Sequence, residues 1–330
     1  MNIPACHHLF LAFLLLFVYA CKQNPEINYE NQVLFNNGWE FRIDSGDIHS
    51  PSDSVWVKVK LPHTPRIEPL IVNDQWQGLC EYRKTFFVSP DYKEKIIQIK
   101  FEGAMNVADV WCNGNHLKKH LGGFLPFVVD LTDHLQVGTE NTIKVRLDNT
   151  DNPVTGPKPL EQLDFNTYGG LYRDVYLLVK NPLHITDPAG AGKVAGGGIF
   201  VTYPSVSEEE ATIEVKTHVK NSGDTEKTFS LHQRLIRNSV EVATVETGKE
   251  QIHPGEDKEV IVSLIIKNPL LWSPHTPDLY TLQTRLSDDG AVAEIINTRI
   301  GIRRIEIRKD EFRINGEEMF LRGVNRHQEY

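Results

Sequence analysis

NTIKVRLDN, residues 141–149, is the stretch on which the fold turns. Ile143, Val145 and Leu147 point one way and Lys144, Arg146 and Asp148 the other. That period of two is what a half-buried antiparallel strand requires, and a helix cannot present it. Working outward, short apolar-rich runs bounded by turn residues recur at Tyr82–Val88, Ile96–Phe101, Val107–Trp111 and Val175–Val179. Helical periodicity is almost missing after about residue 31, so the reading is all-β, with a jelly-roll sandwich over 32–182.

A Gly/Pro-rich stretch, PAGAGKVAGGG at Pro188–Gly198, marks a change of register. Strands resume where Ile213, Val215, Thr217 and Val219 alternate against Glu214, Lys216, His218 and Lys220. This second block, 183–302, has the strand spacing and turns of an immunoglobulin-like sandwich. The last stretch, 303–330, contains a hairpin: Phe312-Arg313-Ile314, an Asn315-Gly316 turn, then Met319-Phe320-Leu321. A hairpin and a strand cannot build a core of their own in so few residues.

The chain has 330 residues, 40% hydrophobic and 24% charged, which is ordinary globular composition with room for two domains. Its formal net charge of −9 and the lack of any dense Lys/Arg run exclude a nucleic-acid partner, because phosphate neutralisation needs a basic face. Leu9–Ala20 (LFLAFLLLFVYA) is too short to span a bilayer as a stable helix but has the length of a signal-peptide core. Val18-Tyr19-Ala20-Cys21 follows and resembles a bacterial lipoprotein cleavage box, with Cys21 as the lipidated residue. Residues 1–21 are therefore expected to be a signal peptide with a lipobox. The protein is expected to be secreted, in the periplasm or at the outer membrane, touching a membrane only through a lipid anchor. Cys80 and Cys112 lie in apolar strand contexts and read as buried thiols rather than a disulfide.

Read from its residues alone, the chain is two β-sandwiches in an exported protein, compatible with a carbohydrate-binding module, an adhesin or an enzyme accessory region. Four strings carry a sharper resemblance, to family 2 glycoside hydrolases of the β-galactosidase kind. GGFLPFVVDLT (Gly122–Thr132) resembles the strand that closes their jelly-roll sugar-binding domain, with Asp130 and Thr132 able to cap the next turn. DFNTYGGLYRDVYL (Asp164–Leu177) is similar to the loop and strand that end it, and there Arg173 beside Asp174 reads as an ion pair. NPLLWSPHTPDLYTL (Asn268–Leu282) resembles a string near the end of the immunoglobulin-like domain, with Leu271, Trp272, Leu279, Tyr280 and Leu282 expected to fill a core. Gly301–Tyr330 resembles the entry into a (β/α)8 barrel, so 303–330 is expected to be the start of a catalytic barrel cut short.

The resemblance implies a role for particular residues. Asp164 stands where the family has an aspartate that accepts hydrogen bonds from sugar hydroxyls, a task suited to an ionised carboxylate. Asn73 and Asp74 lie in LPHTPRIEPLIVNDQWQGLCEYRKTF (Leu61–Phe86), which looks like the family's first-domain loop and can also reach the sugar; Trp76 reads as a packed loop anchor more readily than a stacking platform. Asn325 and His327, in Leu321-Arg322-Gly323-Val324-Asn325-Arg326-His327, are expected to line the sugar pocket, with Arg322 and Arg326 orienting. The family pattern continues with Glu after His, whereas Gln328 stands here and Glu329 follows.

Such enzymes are retaining glycosidases with two carboxyl groups about 5 Å apart. In the family both are glutamates further along the barrel, so none is expected within this chain, and both are expected beyond Tyr330. The acid runs at Ser207–Glu210 and Asp288-Asp289 read as solvated turns. The expected function is hydrolysis of terminal β-galactosides by the full-length protein, the present chain being its non-catalytic amino-terminal part. The alternatives are a β-glucuronidase or β-mannosidase of the same family, or a stand-alone glycan-binding surface lipoprotein. Expected partners are β-linked oligosaccharides or polysaccharide side chains and the barrel domain. No cofactor is expected in this chain; the resemblance leaves room for Mg²⁺ or Na⁺, found in some relatives, in the full-length enzyme.

Overall fold

The computed structural model describes residues 32–44, 55–67, 75–156, 162–163 and 167–325. Among these, the first sandwich is built from β1 (Gln32–Leu34), β2 (Trp39–Asp44), β3 (Val57–Val59), β4 (Leu79–Phe87) and β5 (Ile96–Phe101), followed by β6 (Val107–Cys112), β7 (Asn115–Leu121), β8 (Phe127–Asp130), β9 (Glu140–Asp148) and β10 (Val175–Lys180). One sheet runs β1-β10-β5-β8 and the other β3-β2-β4-β9-β6-β7, every pairing antiparallel. The period of two in β9 decides which side chains meet. Ile143, Val145 and Leu147 are buried and face Ile97, Ile99 and Phe101 of the opposite sheet in one core, while Lys144 and Arg146 stay half-exposed.

Cys80 and Cys112 are both buried free thiols in that core. Their strands flank β9, where Cys80 is in register with Leu147 and Cys112 with Ile143. Four residues of offset is ~13 Å along the strand, far outside the reach of a disulfide. Burial pushes both thiols up, Cys112 to about 11, so neither is a thiolate at neutral pH.

The second sandwich starts with β11 (Leu183–Ile185), which pairs with β13 (Glu210–Asn221). β12 (Ile199–Val206) shares that edge of β13, and β17 (Asp257–Lys267) takes the other. The facing sheet centres on β14 (Lys227–Arg237), with β15 (Val240–Glu246) and β16 (Glu250–Ile252) on one edge and β18 (Tyr280–Asp288), then β19 (Ala291–Ile300), on the other. Pro188–Gly198 is thus a loop between β11 and β12, inside the second sandwich. It packs back on the first: Asp187, at its entrance, lies 3.2 Å from Lys100 of β5.

β20 (Ile305–Arg308), β21 (Glu311–Ile314) and β22 (Glu317–Glu318) form a small antiparallel sheet. The Asn315-Gly316 turn has φ of 53° and 86°, the pair of positive angles a tight hairpin needs, which Asn and Gly adopt most readily. The second strand begins earlier than Met319, which now donates its N–H to the carbonyl of Phe312 at 2.8 Å. The barrel reading of 303–330 rests on the resemblance alone.

Two side-chain expectations need correction. Asp174 does not pair with Arg173: its carboxylate accepts from Nδ2 of Asn36 at 2.7 Å and from the Tyr176 hydroxyl at 3.3 Å. Arg173 sits in the bend before β10, where it is exposed and lies over the Tyr172 ring at 5.7 Å. In the Asn268–Leu282 string, Tyr280 and Leu282 are core residues and Leu271 packs against them, but Leu279 is 37% exposed. Trp272 instead staples the end of the sandwich: its N–H donates to the carbonyl of Ile302 at 2.8 Å, and its own carbonyl accepts from Asn315 at 3.1 Å.

Candidate functional site

The register of the six-stranded sheet places three loops at one end. Leu79 of β4 and Val107 of β6 both stand opposite Asp148 of β9. The segment before β4, the turn before β6 and the loop after β9 therefore leave from one row of the sheet, and polar side chains tie them together. Asn149 accepts from the N–H of Gly78 at 2.8 Å and donates to the carbonyl of Trp76 at 3.1 Å. Asn106 donates to Thr155 Oγ1 at 2.7 Å and to the carbonyl of Gly156 at 3.2 Å. Each takes the place of water on half-buried backbone or hydroxyl groups.

The chain before β10 joins the same cluster. Thr167 donates its N–H to Oε1 of Gln75 at 2.9 Å, although 92 residues separate them. Gly170 forms a bridge with Met105, the two N–H···O distances being 3.0 and 3.3 Å. A glycine is required there: φ is +96°, and a Cβ would lie 2.6 Å from both the carbonyl oxygen of His63 and the hydroxyl of Tyr82. Beneath it, Nδ1 of His63 is 2.8 Å from the Tyr82 hydroxyl. Burial lowers the pKa of His63 and raises that of Tyr82, so both stay neutral, and the Tyr82 hydroxyl also donates to the His63 carbonyl at 3.4 Å.

Of the residues expected from sequence to contact sugar, Asn73, Asp74, Asp164 and His327 lie outside the described residues, as does Cys21. Their flanks are informative. Gln75 directly follows Asp74 and Thr167 comes three residues after Asp164, so the hydrogen bond between Gln75 and Thr167 brings the ends of the two expected sugar-contacting loops together. Asn325 is exposed on the segment after β22. Trp76 packs partly against the first core, as a loop anchor does. Gln75, Asn106 and Asn149, which organise the loops, went unnoticed in the sequence. The only signal was their position, each just outside a strand with clear alternation. Among the described residues no group of three or more His, Cys, Asp or Glu comes together as a metal site.

Residues 49–182 match the family model for the sugar-binding domain of glycosyl hydrolases family 2, and residues 198–303 match a second model of the same family. The chain belongs to glycosyl hydrolase family 2. Among its family 2 relatives, a β-glucuronidase of Formosa agariphila is 32% identical over 309 residues, covering 88% of this chain and 31% of the relative. A β-galactosidase of Thermoanaerobacter pseudethanolicus is 29% identical over 299 residues, covering 89% of this chain and 37% of the relative. A solved family 2 β-glucuronidase superposes with a TM-score of 0.76 at 30% identity, over 88% of this chain and 32% of that one. A putative β-galactosidase from Bacteroides fragilis does so with a TM-score of 0.77 at 29% identity, over 87% and 43%. The chain thus spans less than half the length of these family 2 proteins.

Proposed function

We propose that in the intact protein this chain forms the non-catalytic, sugar-facing wall of a retaining β-glycosidase that removes a terminal β-galactosyl or β-glucuronyl residue. The observation that carries this reading is the match of residues 49–182 to the family's sugar-binding domain, within which the hydrogen bond between Gln75 and Thr167 ties two segments together at one end of the sandwich. β-Galactosidases and β-glucuronidases both stand among the relatives, and the two sugars differ in the orientation at C4 and in a carboxylate at C6.

The two reactive carboxyls of a retaining mechanism, about 5 Å apart, come in this reading from the barrel and not from the acids described here. Asp288 pairs with Lys227 at 2.9 Å, Glu210 pairs with Lys267, and Asp289 is exposed on a turn beside Lys249. All belong to the second sandwich, where no cleft gathers them. Phe320, Leu321 and Val324 are exposed on the segment after β22, where a packed barrel would cover them. Export and lipidation at Cys21 belong to the same proposal, supported by the Leu9–Ala20 run.

The test is hydrolysis of 4-nitrophenyl β-galactoside and β-glucuronide by the intact protein, with the anomeric configuration of the first product read by NMR. Retention at the anomeric carbon with either substrate supports the reading. Inversion, or no turnover of either, contradicts it. Mass spectrometry of the mature amino terminus tests the anchor, which predicts a diacylglyceryl-modified Cys21.

A further inference from the structure

Two side chains at the loop end carry polar atoms with nothing to bond. Gln75 is 7% exposed and its Nε2 is a buried donor without a partner; Asn106 is 6% exposed and its Oδ1 is a buried acceptor without a partner. Neither side chain is adrift. Oε1 of Gln75 accepts from Thr167, and Nδ2 of Asn106 donates to Thr155 and Gly156, so these bonds fix which way each amide faces. A buried polar atom left unpaired costs about 1–3 kcal/mol, and folded proteins seldom hold two of them at one end of a sheet without a ligand or water to complete them.

We propose, building on the glycosidase reading above, that Gln75 Nε2 and Asn106 Oδ1 are recognition groups for a glycan: the first donates to one sugar hydroxyl and the second accepts from another. A hydroxyl can serve either atom, because it has one donor and two acceptor lone pairs. Gln75 leads into β4 and Asn106 into β6, on either side of β9, so two strand spacings, roughly 10 Å, separate their points of departure from the sheet. The two amides therefore address different hydroxyls of the ligand. Their placement also matches how such sites work, since a site built to bond a hydroxyl rejects the analogue lacking it by leaving its own buried group unpaired.

The competing account is a buried water on each atom, and substrate analogues separate the two. Kinetics would be measured on the intact protein with whichever 4-nitrophenyl glycoside the wild type hydrolyses, and with the monodeoxy derivatives of that sugar. In Gln75→Met one deoxy position should lose most of the penalty it carries in the wild type, a coupling of at least five-fold in kcat/KM, while the other positions keep theirs. Asn106→Leu should show the same at a different position. Gln75→Glu keeps an acceptor for Thr167 while removing the free donor, so wherever the variant folds it should still raise KM.

Equal penalties for every deoxy derivative in wild type and variants would overturn the inference and favour water. An inactive wild type would instead count against the glycosidase reading. If Gln75→Met and Asn106→Leu fail to fold, Gln75→Glu with an unchanged KM for every derivative overturns the inference by itself.

Discussion

Nζ of Lys180 lies 3.8 Å from Oε1 of Glu294, and both side chains are shut away from water, at 7% and 4% exposure, where the first sandwich passes into the second. Lys180 ends β10, Glu294 belongs to β19, and the chain between the sandwiches is held by both. Lys180 donates to the carbonyl of Ile185, and Glu294 accepts the N–H of Ile185 at 2.7 Å. Nearby, Asn181 donates to the carbonyl of Ala293 at 2.7 Å. Polar groups on one sandwich thus complete backbone groups on the other, joining the second sandwich to the end of β10 remote from the loop cluster.

Glu294→Ala should therefore be one of the costlier substitutions in the protein. It strands a buried ammonium and a backbone N–H together, and removing one partner of a buried pair costs about 3–5 kcal/mol. Replacing both charges, Lys180→Met with Glu294→Leu, should cost less than Glu294→Ala alone. Chemical denaturation of the three proteins checks the order; a double variant less stable than the single one contradicts it.

His184 sits at the same seam, 3% exposed, with Nδ1 at 2.9 Å from the carbonyl of Asn181 and 3.0 Å from that of Pro182. Two carbonyls can only accept, so Nδ1 carries the proton of a neutral ring. Burial, with the charge of Lys180 behind it, lowers its pKa to about 4 from 6.5. A histidine held below its unfolded value binds its proton more readily in the unfolded chain. Its contribution is complete above pH 6.5 and drains away as the pH falls towards 4, by roughly 3 kcal/mol in all. Urea unfolding at pH 7.5 and 4.5 should show a steeper acid loss for wild type than for His184→Gln. Equal losses would remove His184 as the cause.

Gly170→Ala should destabilise the first sandwich by about 3 kcal/mol, from a positive φ and from a Cβ forced against the His63 carbonyl and the Tyr82 hydroxyl. Since the same residue bridges to Met105, loop order should suffer with stability. A melting temperature within a degree or two of wild type would show that the close approach relaxes without cost.

Asn149→Ala removes an acceptor for Gly78 and a donor for Trp76 from a residue 7% exposed. Two unpaired backbone groups at about 1–3 kcal/mol each suggest a loss of ~2 kcal/mol after partial rescue by water. Because Gln75 and Trp76 lie on the released segment, KM for the glycoside should rise in the same variant. An unchanged KM would separate this loop from the sugar.

The strands were legible because one face of each is buried. β5 runs over the very residues its alternation marks, and β9 differs from NTIKVRLDN only at its ends. Asp130 and Thr132 likewise cap a turn as their spacing suggests, with Thr132 N to Asp130 Oδ1 at 2.9 Å. What escaped was set by contacts distant in sequence. Nothing local distinguishes Asn36 as the partner of Asp174, or Gln75 as the partner of Thr167. β20 was missed because Ile305 and Ile307 are exposed, at 51% and 77%, so its alternation marks no buried face. The sugar contacts themselves, Asp164 above all, were legible only through resemblance, since a single loop carboxylate has no pattern of its own.

The most direct measurement of the central claim is kcat/KM of Asp164→Asn in the intact protein, alongside its stability. If this end of the sandwich is a wall of the sugar pocket, the loss of a charged acceptor worth about 1.5–3 kcal/mol should lower kcat/KM by roughly 10–100-fold with the unfolding midpoint unchanged. A variant that hydrolyses its glycoside as fast as wild type would contradict the account.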